Sequence, residues 1–304
     1  MKSLLKTTLF AISGAALFAI PAAAVTTTNG DLLLAFYQTN AAGDTVQPNT
    51  YVLNLGQISI WRENTQAFVS VSTVNPGIAS SNIGPELLAA FGPDWATDGR
   101  VKWGIVGGLD QTTVGLVGGE RQQSSYISRA ASSADSGPTS TQPLITGGPR
   151  NFLRNNIEAF RVGSNGTGSD IGNDSGALIT IDTNLATFED FLPPVNGTGQ
   201  FGVGQDILGT FGVGTLGGTV EGALDIWRMV GGSSTADLNS SGTDLTSGFG
   251  SGDAVLGQGQ YVGTITIDSL GNLAVVPEPS STLLFGILGT IGLSFRKRSV
   301  SSLS

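Results

Sequence analysis

The fold of this chain is decided by two short apolar runs, DLLLAFY at Asp31–Tyr37 and YVLNLG at Tyr51–Gly56. Each run has the length of a β-strand, and aliphatic and aromatic residues of this kind favour strands. The segment between them is rich in Asn, Gly, Asp and Pro, which favour turns. The two runs are therefore predicted to pair as neighbouring strands.

Similar apolar runs, separated by turn residues, recur along the chain and favour an all-β body. The further strands are predicted at Val101–Gly108, Thr113–Val117, Ala177–Asp182, Ala223–Val230, Tyr261–Asp268 and Leu273–Val276, the last two joined by a turn at Ser269–Asn272. We expect a mainly β fold, an antiparallel sandwich-like or barrel-like body with two or three short helices.

Two segments have the spacing of helices instead. Ser81–Phe91 has a proline in its first turn and apolar residues at helical intervals, and Asn151–Arg161 predicts a second helix. The stretches Ser132–Gly148 and Gly163–Gly176 are rich in small and polar residues and are expected to be exposed loops.

The composition excludes several classes of chemistry. The 304 residues include 45 glycines but no cysteine and no histidine. Disulfides, thiolate nucleophiles, imidazole bases and the usual zinc ligands are therefore missing from the sequence. We expect a body that is held together by packing and hydrogen bonds and that is not an enzyme.

The charge is strongly acidic between the two ends of the chain. All 23 carboxylates lie between Val25 and Pro279, where they face only Lys102 and eight arginines, which gives this part a charge of −14. Such a surface repels phosphate backbones and anionic lipids, and it can collect divalent cations. Nucleic acid is therefore not an expected partner.

Residues 1–24 have the features of a secretory signal peptide. Two lysines precede the apolar run Leu9–Ile20, which is too short to cross a bilayer comfortably. The small residues Ala22 and Ala24 occupy positions −3 and −1 of a cut after Ala24. We expect signal peptidase to release a mature chain that begins at Val25.

The tail, residues 277–304, is predicted to have three parts. The prolines of Pro277-Glu278-Pro279 disfavour helix and strand pairing, so an extended, protease-accessible peptide is expected there. Residues 280–295 follow as a membrane helix of about 24 Å, shorter than a bilayer core of about 30 Å. The positive-inside rule predicts that the final basic cluster stays in the cytoplasm; its members are Arg296, Lys297 and Arg298.

This tail resembles the PEP-CTERM sorting signal of Gram-negative bacteria over about its last 25 residues, in the order of motif, short helix and basic end. The resemblance implies recognition by an exosortase, a membrane transpeptidase, with removal of the tail. It also implies transit through the inner membrane and delivery to the cell surface or an exopolysaccharide matrix. An ordinary tail anchor is the alternative.

A calcium loop is the one cofactor hypothesis that the sequence offers. Asp237, Asn239 and Ser241 alternate oxygen side chains and are followed by Gly242, as in the first half of such a loop. Gly248 stands where a bidentate glutamate is expected, so a polar surface loop is the preferred interpretation. A second, weaker oxygen cluster is formed by Asp170, Asn173 and Asp174.

Other chemical signatures have plainer explanations. The glycine pattern at residues 212–217 lacks the alternating strands and helices of a dinucleotide fold. The two Asp-Ser-Gly triplets, at residues 135–137 and 174–176, follow polar residues and indicate turns rather than an aspartic protease. Glu189-Asp190 is a weak candidate for glycosidase carboxylates.

Core packing is expected for the four tryptophans, although aromatic rings can also stack on sugars; these are Trp61, Trp95, Trp103 and Trp227.

The sequence therefore predicts three parts: a signal peptide at 1–24, an acidic β-rich body at 25–276 and a sorting signal at 277–304. The expected function is that of a structural or adhesive protein of the cell surface, biofilm or exopolysaccharide matrix. A carbohydrate-binding module and a secreted glycosidase are the alternatives.

Overall fold

A computed structural model of the chain describes residues 25–41, 46–62, 64, 69–109, 124–132, 137–140, 142–143, 147–166, 168, 176–180, 208–210, 220–229 and 259–277. The strands in these residues are β1 Asp31–Thr39, β2 Val46–Gln57, β3 Val69–Ser70, β4 Val101–Gly108, β5 Ser125–Ala130, β6 Gly176–Thr180, β7 Leu208–Thr210, β8 Val220–Met229, β9 Gly259–Asp268 and β10 Leu273–Pro277. The helices are α1 Ile58–Arg62, α2 Val71–Val74, α3 Gly84–Phe91 and α4 Gly147–Ser164.

All of these strands belong to one sheet, in the order β3-β10-β9-β8-β5-β4-β1-β2-β6, with β7 beside β4. The strand pairs are antiparallel, and the sheet curls like half of a barrel. The mainly β prediction is therefore confirmed. Of the two expected forms, the described strands build one curled sheet that is closer to a barrel than to a sandwich of two sheets.

Both faces of the sheet are buried, which explains the unbroken apolar run of β1. Leu32, Leu34 and Phe36 enter a core with side chains of α1, α2 and α3. The alternate residues, Leu33, Ala35 and Tyr37, enter a second core with Leu153, Ile157 and Phe160 of α4. A strand that is buried on both sides needs no polar alternation, so the sequence shows a continuous hydrophobic stretch.

Most of the predicted elements are confirmed. The runs Asp31–Tyr37 and Tyr51–Gly56 pair as β1 and β2, and the predicted helices correspond to α3 and α4. The return strand of β4 was expected at Thr113–Val117, which lies outside the described residues; in the structure β4 pairs with β1, β5 and β7. The helices α1 and α2 were not predicted.

The expectation of an exposed loop at Ser132–Gly148 is wrong in part. Gly147 and Gly148 begin α4, and Pro143 is buried beside Gly259. Thr139 and Ser140 are only half-exposed because their backbone amides bind a buried carboxylate of β8. This segment is therefore fastened to the sheet.

Candidate functional site

The last two described strands, β9 and β10, lead directly into the predicted sorting motif in the chain. β9 and β10 form an antiparallel hairpin, in which Leu273 is in register with Ile267 and Val275 with Ile265. Three of these residues are at most 1% exposed and Val275 is 4% exposed, and all four belong to the first core. The hairpin is thus an integral part of the body.

The turn of this hairpin is organised by Asp268. Its carboxylate accepts hydrogen bonds from the backbone amides of Leu270 (3.0 Å) and Asn272 (2.8 Å) and from the Asn272 side chain (2.7 Å). Gly271 has φ +84°, a left-handed conformation that glycine adopts without strain. These contacts fix the point at which β10 begins.

The N-terminal end of α3 packs directly on this turn. The Ile83 amide donates to the Gly271 carbonyl at 3.0 Å, and the Leu273 amide donates to the Ser81 carbonyl at 2.8 Å. A Cβ on Gly84 would lie 2.1 Å from the Leu270 carbonyl oxygen, so only glycine fits this approach. The turn end of β10 is therefore held by two chain segments.

At its C-terminal end, β10 extends one residue into the Pro277-Glu278-Pro279 motif, which was expected to stay outside the sheet. Pro277 is in register with Gly263 as the last residue of the strand, so the expectation that it stays out of strand pairing is wrong. Proline is tolerated at the edge of a sheet, where its missing amide proton is not needed. Among the described residues on that side, β3 pairs with Ala274 and Val275.

A buried carboxylate of β8 fastens the loop at residues 137–143 to the hairpin. Asp225, which is 0% exposed, accepts hydrogen bonds from the amides of Thr139 (2.8 Å) and Ser140 (2.6 Å) and from the Thr264 hydroxyl (2.6 Å). The Trp227 indole donates to the Ser140 hydroxyl at 2.9 Å. Sequence reasoning missed Asp225, although a carboxylate between Leu and Ile in an apolar strand signals a buried polar network.

A second carboxylate organises the start of the body. Asp31, at the beginning of β1, accepts from the Thr28 amide (2.7 Å) and from the side chains of Asn54 (2.8 Å) and Gln57 (2.6 Å). Val25, the predicted first residue of the mature chain, is 2% exposed, and its carbonyl accepts from the Gly166 amide. The residues that follow the predicted cleavage point are therefore packed into the body.

The four tryptophans lie in the cores, as preferred from the sequence. Trp61, Trp95 and Trp103 belong to the first core and Trp227 to the second, and each is at most 5% exposed. Trp103 stacks on Phe36 with ring centroids 5.7 Å apart. These rings do not form an exposed row on which a sugar could stack.

Several predicted sites lie outside the described residues. They are the calcium candidates Asp237, Asn239 and Ser241, the weaker cluster Asp170, Asn173 and Asp174, the carboxylates Glu189 and Asp190, the cleavage residues Ala22 and Ala24, the motif residues Glu278 and Pro279, and the basic residues Arg296, Lys297 and Arg298. Within the described ranges, no group of three or more acidic residues is arranged to hold a metal ion. No helix in those ranges is long and apolar enough to cross a membrane.

The fold and the tail together define a β-sheet protein whose last strand runs directly into a sorting signal. Residues 275–299 match the family model of the PEP-CTERM protein-sorting motif. The chain is therefore an exosortase-targeted secreted protein, with export to the cell envelope or surface. The match covers the tail and leaves the activity of the body open. No curated protein and no solved structure matches the chain significantly.

Proposed function

We propose that the chain is a non-enzymatic protein of the cell surface or exopolysaccharide matrix, with a structural or adhesive role. The observation that carries the proposal is the sorting motif at residues 275–299, which continues directly from the folded sheet. Signal peptidase would create the first end of the mature protein, and an exosortase would remove the tail after transit through the inner membrane.

The way the body uses its carboxylates supports a structural role. Asp31, Asp225 and Asp268 each accept several hydrogen bonds that hold a turn or a loop in place. Each of these carboxylates therefore serves as a fixed acceptor for groups of neighbouring segments. The remaining acidic surface would keep the protein soluble and attract divalent cations that also bind acidic polysaccharides.

The burial of the tryptophans favours this role over a carbohydrate-binding module. Sugar recognition by stacking needs exposed aromatic faces, and Trp61, Trp95, Trp103 and Trp227 are in the cores. Binding of the purified body to a glycan array at micromolar concentration would instead favour the module.

Replacement of Glu278 by Gln and Pro279 by Ala tests the sorting step. Pro277 is left unchanged because it belongs to β10. We expect the folded precursor to accumulate in the inner membrane, detected by fractionation and immunoblotting. Ser269→Ala, a change in the exposed turn of the same hairpin, is the matched control and should be sorted normally. Normal release of the Glu278→Gln/Pro279→Ala protein would contradict the proposal.

A further inference from the structure

We propose that β10 is a gate on the sorting motif, so that Val275–Pro277 must leave the sheet before the exosortase can process the tail. This inference rests on the proposed function because it concerns access of the same enzyme. It arises from an overlap between two segments: the motif covers residues 275–299, whereas the last strand of the body is Leu273–Pro277.

The backbone of the first motif residues is already engaged in the sheet. Val275–Pro277 are in register with Gly263–Ile265 of β9. An enzyme that takes an extended peptide by strand addition uses the same main-chain groups. Sheet pairing and enzyme binding therefore compete for these three residues.

The side chains also make the closed state the favoured one. Val275 is 4% exposed and Val276 is 1% exposed, and Val275 belongs to the first core. Opening would bring both valines into water, which is unfavourable in proportion to the apolar area exposed. The open state is therefore a minor population of the folded protein.

The geometry of the strand sets the end from which it opens. Its first residue, Leu273, is held by the Ser81 carbonyl and by the Asp268 turn. At the other end β3 reaches only as far as Val275, so β9 is the one described strand that pairs with Val276 and Pro277. Among the described contacts, fraying from Pro277 breaks the pairing with β9, whereas opening from Leu273 would also break the hydrogen bonds to the segment that leads into α3.

The sequence leaves little room for processing without this opening. Only Glu278 and Pro279 separate Pro277 from the predicted membrane helix, which begins at Ser280. Even two fully extended residues span only about 7 Å. The enzyme would have to bind a peptide between the folded edge and the membrane surface, and release of Val275–Pro277 lengthens the accessible segment.

Engineered disulfides test the gate in the full-length precursor, whose sequence contains no cysteine that could interfere. The gate lock, Ile265→Cys/Val275→Cys, joins a directly opposed pair at the opening end of the hairpin. The control lock, Ile267→Cys/Leu273→Cys, joins the equivalent pair at the turn end, on the same face. Opposed residues of antiparallel strands lie within the Cα separation that a disulfide requires.

Processing is followed in inner membranes that contain the exosortase, as conversion of precursor to mature protein with time. We expect the oxidised gate lock to slow conversion by about tenfold or more, because the rate follows the population of the open form. Reductant should restore the rate, and the control lock should have no effect in either redox state.

Equal rates for the oxidised and reduced forms of the gate lock would overturn the gate while leaving exosortase processing intact. Absence of conversion in the wild type would overturn the proposed function and the gate with it. If the lock fails to fold, Ile265→Val provides the opposite test, because a smaller side chain opposite Val275 weakens the packing that keeps the gate closed. Faster conversion than in Ile267→Val, the same change at the turn end, would support the gate, and equal rates for the two variants would refute it.

Discussion

Asp225 is the buried residue on which the loop at residues 137–143 depends. Its replacement by alanine would leave two backbone amides and the Thr264 hydroxyl without their acceptor. Because buried donors that are left without an acceptor are costly, we expect the free energy of unfolding to fall by about 3 kcal/mol. Urea denaturation of the purified protein measures this loss.

Asp94→Ala is the matched control for that substitution, since Asp94 lies exposed in a turn. It should change the free energy of unfolding by less than about 0.5 kcal/mol. Equal effects of the two substitutions would show that the Asp225 network does not stabilise the body.

The ion pair of Asp98 predicts how the stability of the protein depends on pH. The Arg100 guanidinium, which donates to the carboxylate, is the main cause that lowers the pKa of Asp98 from its ordinary value of 3.8 to about 2. A carboxyl whose folded pKa is depressed stabilises the protein above its unfolded pKa, and this contribution is lost as the pH falls from about 4 through about 2. Asp98→Asn should therefore lower the melting temperature at pH 7 and have little effect near pH 2.

The test depends on how the difference in melting temperature between Asp98→Asn and the wild type changes with pH. The pair is partly solvated, with 50% of the Arg100 side chain exposed, so the effect at neutral pH should be small. A difference between Asp98→Asn and the wild type that grows as the pH is lowered from 4 to 2 would contradict the assigned ion pair.

At the scale of single elements, the N-terminal segment before β1 is fastened to the end of α4. The Thr27 hydroxyl donates to the Arg161 carbonyl at 3.0 Å, and the Thr27 amide donates to the Asn165 side chain at 2.8 Å. The Arg161 carbonyl lies in the last turn of the helix and also accepts from the Asn165 amide at 3.1 Å, so the Thr27 hydroxyl is a second donor to it. The segment thus acts as a cap on α4.

Thr27→Val removes the hydroxyl and keeps the shape of the side chain. We expect the free energy of unfolding to fall by about 1 kcal/mol, since the Arg161 carbonyl loses a buried donor. Thr26→Val, one residue earlier and on an exposed side chain, serves as the control in the same denaturation experiment. Similar stabilities of the two variants would argue against the cap.

The elements that sequence reasoning identified are those with a strong local signal in the sequence. Asp31–Tyr37 and Val101–Gly108 are continuous apolar runs, and Gly84–Phe91 has a proline in its first turn. The helices α1 and α2 have only five and four residues, too few to show a helical period. Pro277 was misjudged because its local preference was considered without its pairing with Gly263 of β9.

At the scale of the whole molecule, the strand pattern could not distinguish a sandwich from a single covered sheet. A run such as Leu32–Tyr37 shows that both faces are buried, but it does not show what covers them. In the structure α4 covers one face, and the curl of the sheet with three short helices encloses the other. The sorting motif was predictable because it is read as a local sequence, independently of the fold.

The central claim is that this body is exported and loses its tail to an exosortase. The most direct test is the intact mass of the protein recovered from the cell surface or medium. The account predicts a chain that begins at Val25 and lacks the basic end, Arg296–Ser304. A mature protein in its final location that still carries Arg296–Ser304 would contradict the account and show that the tail is a plain membrane anchor.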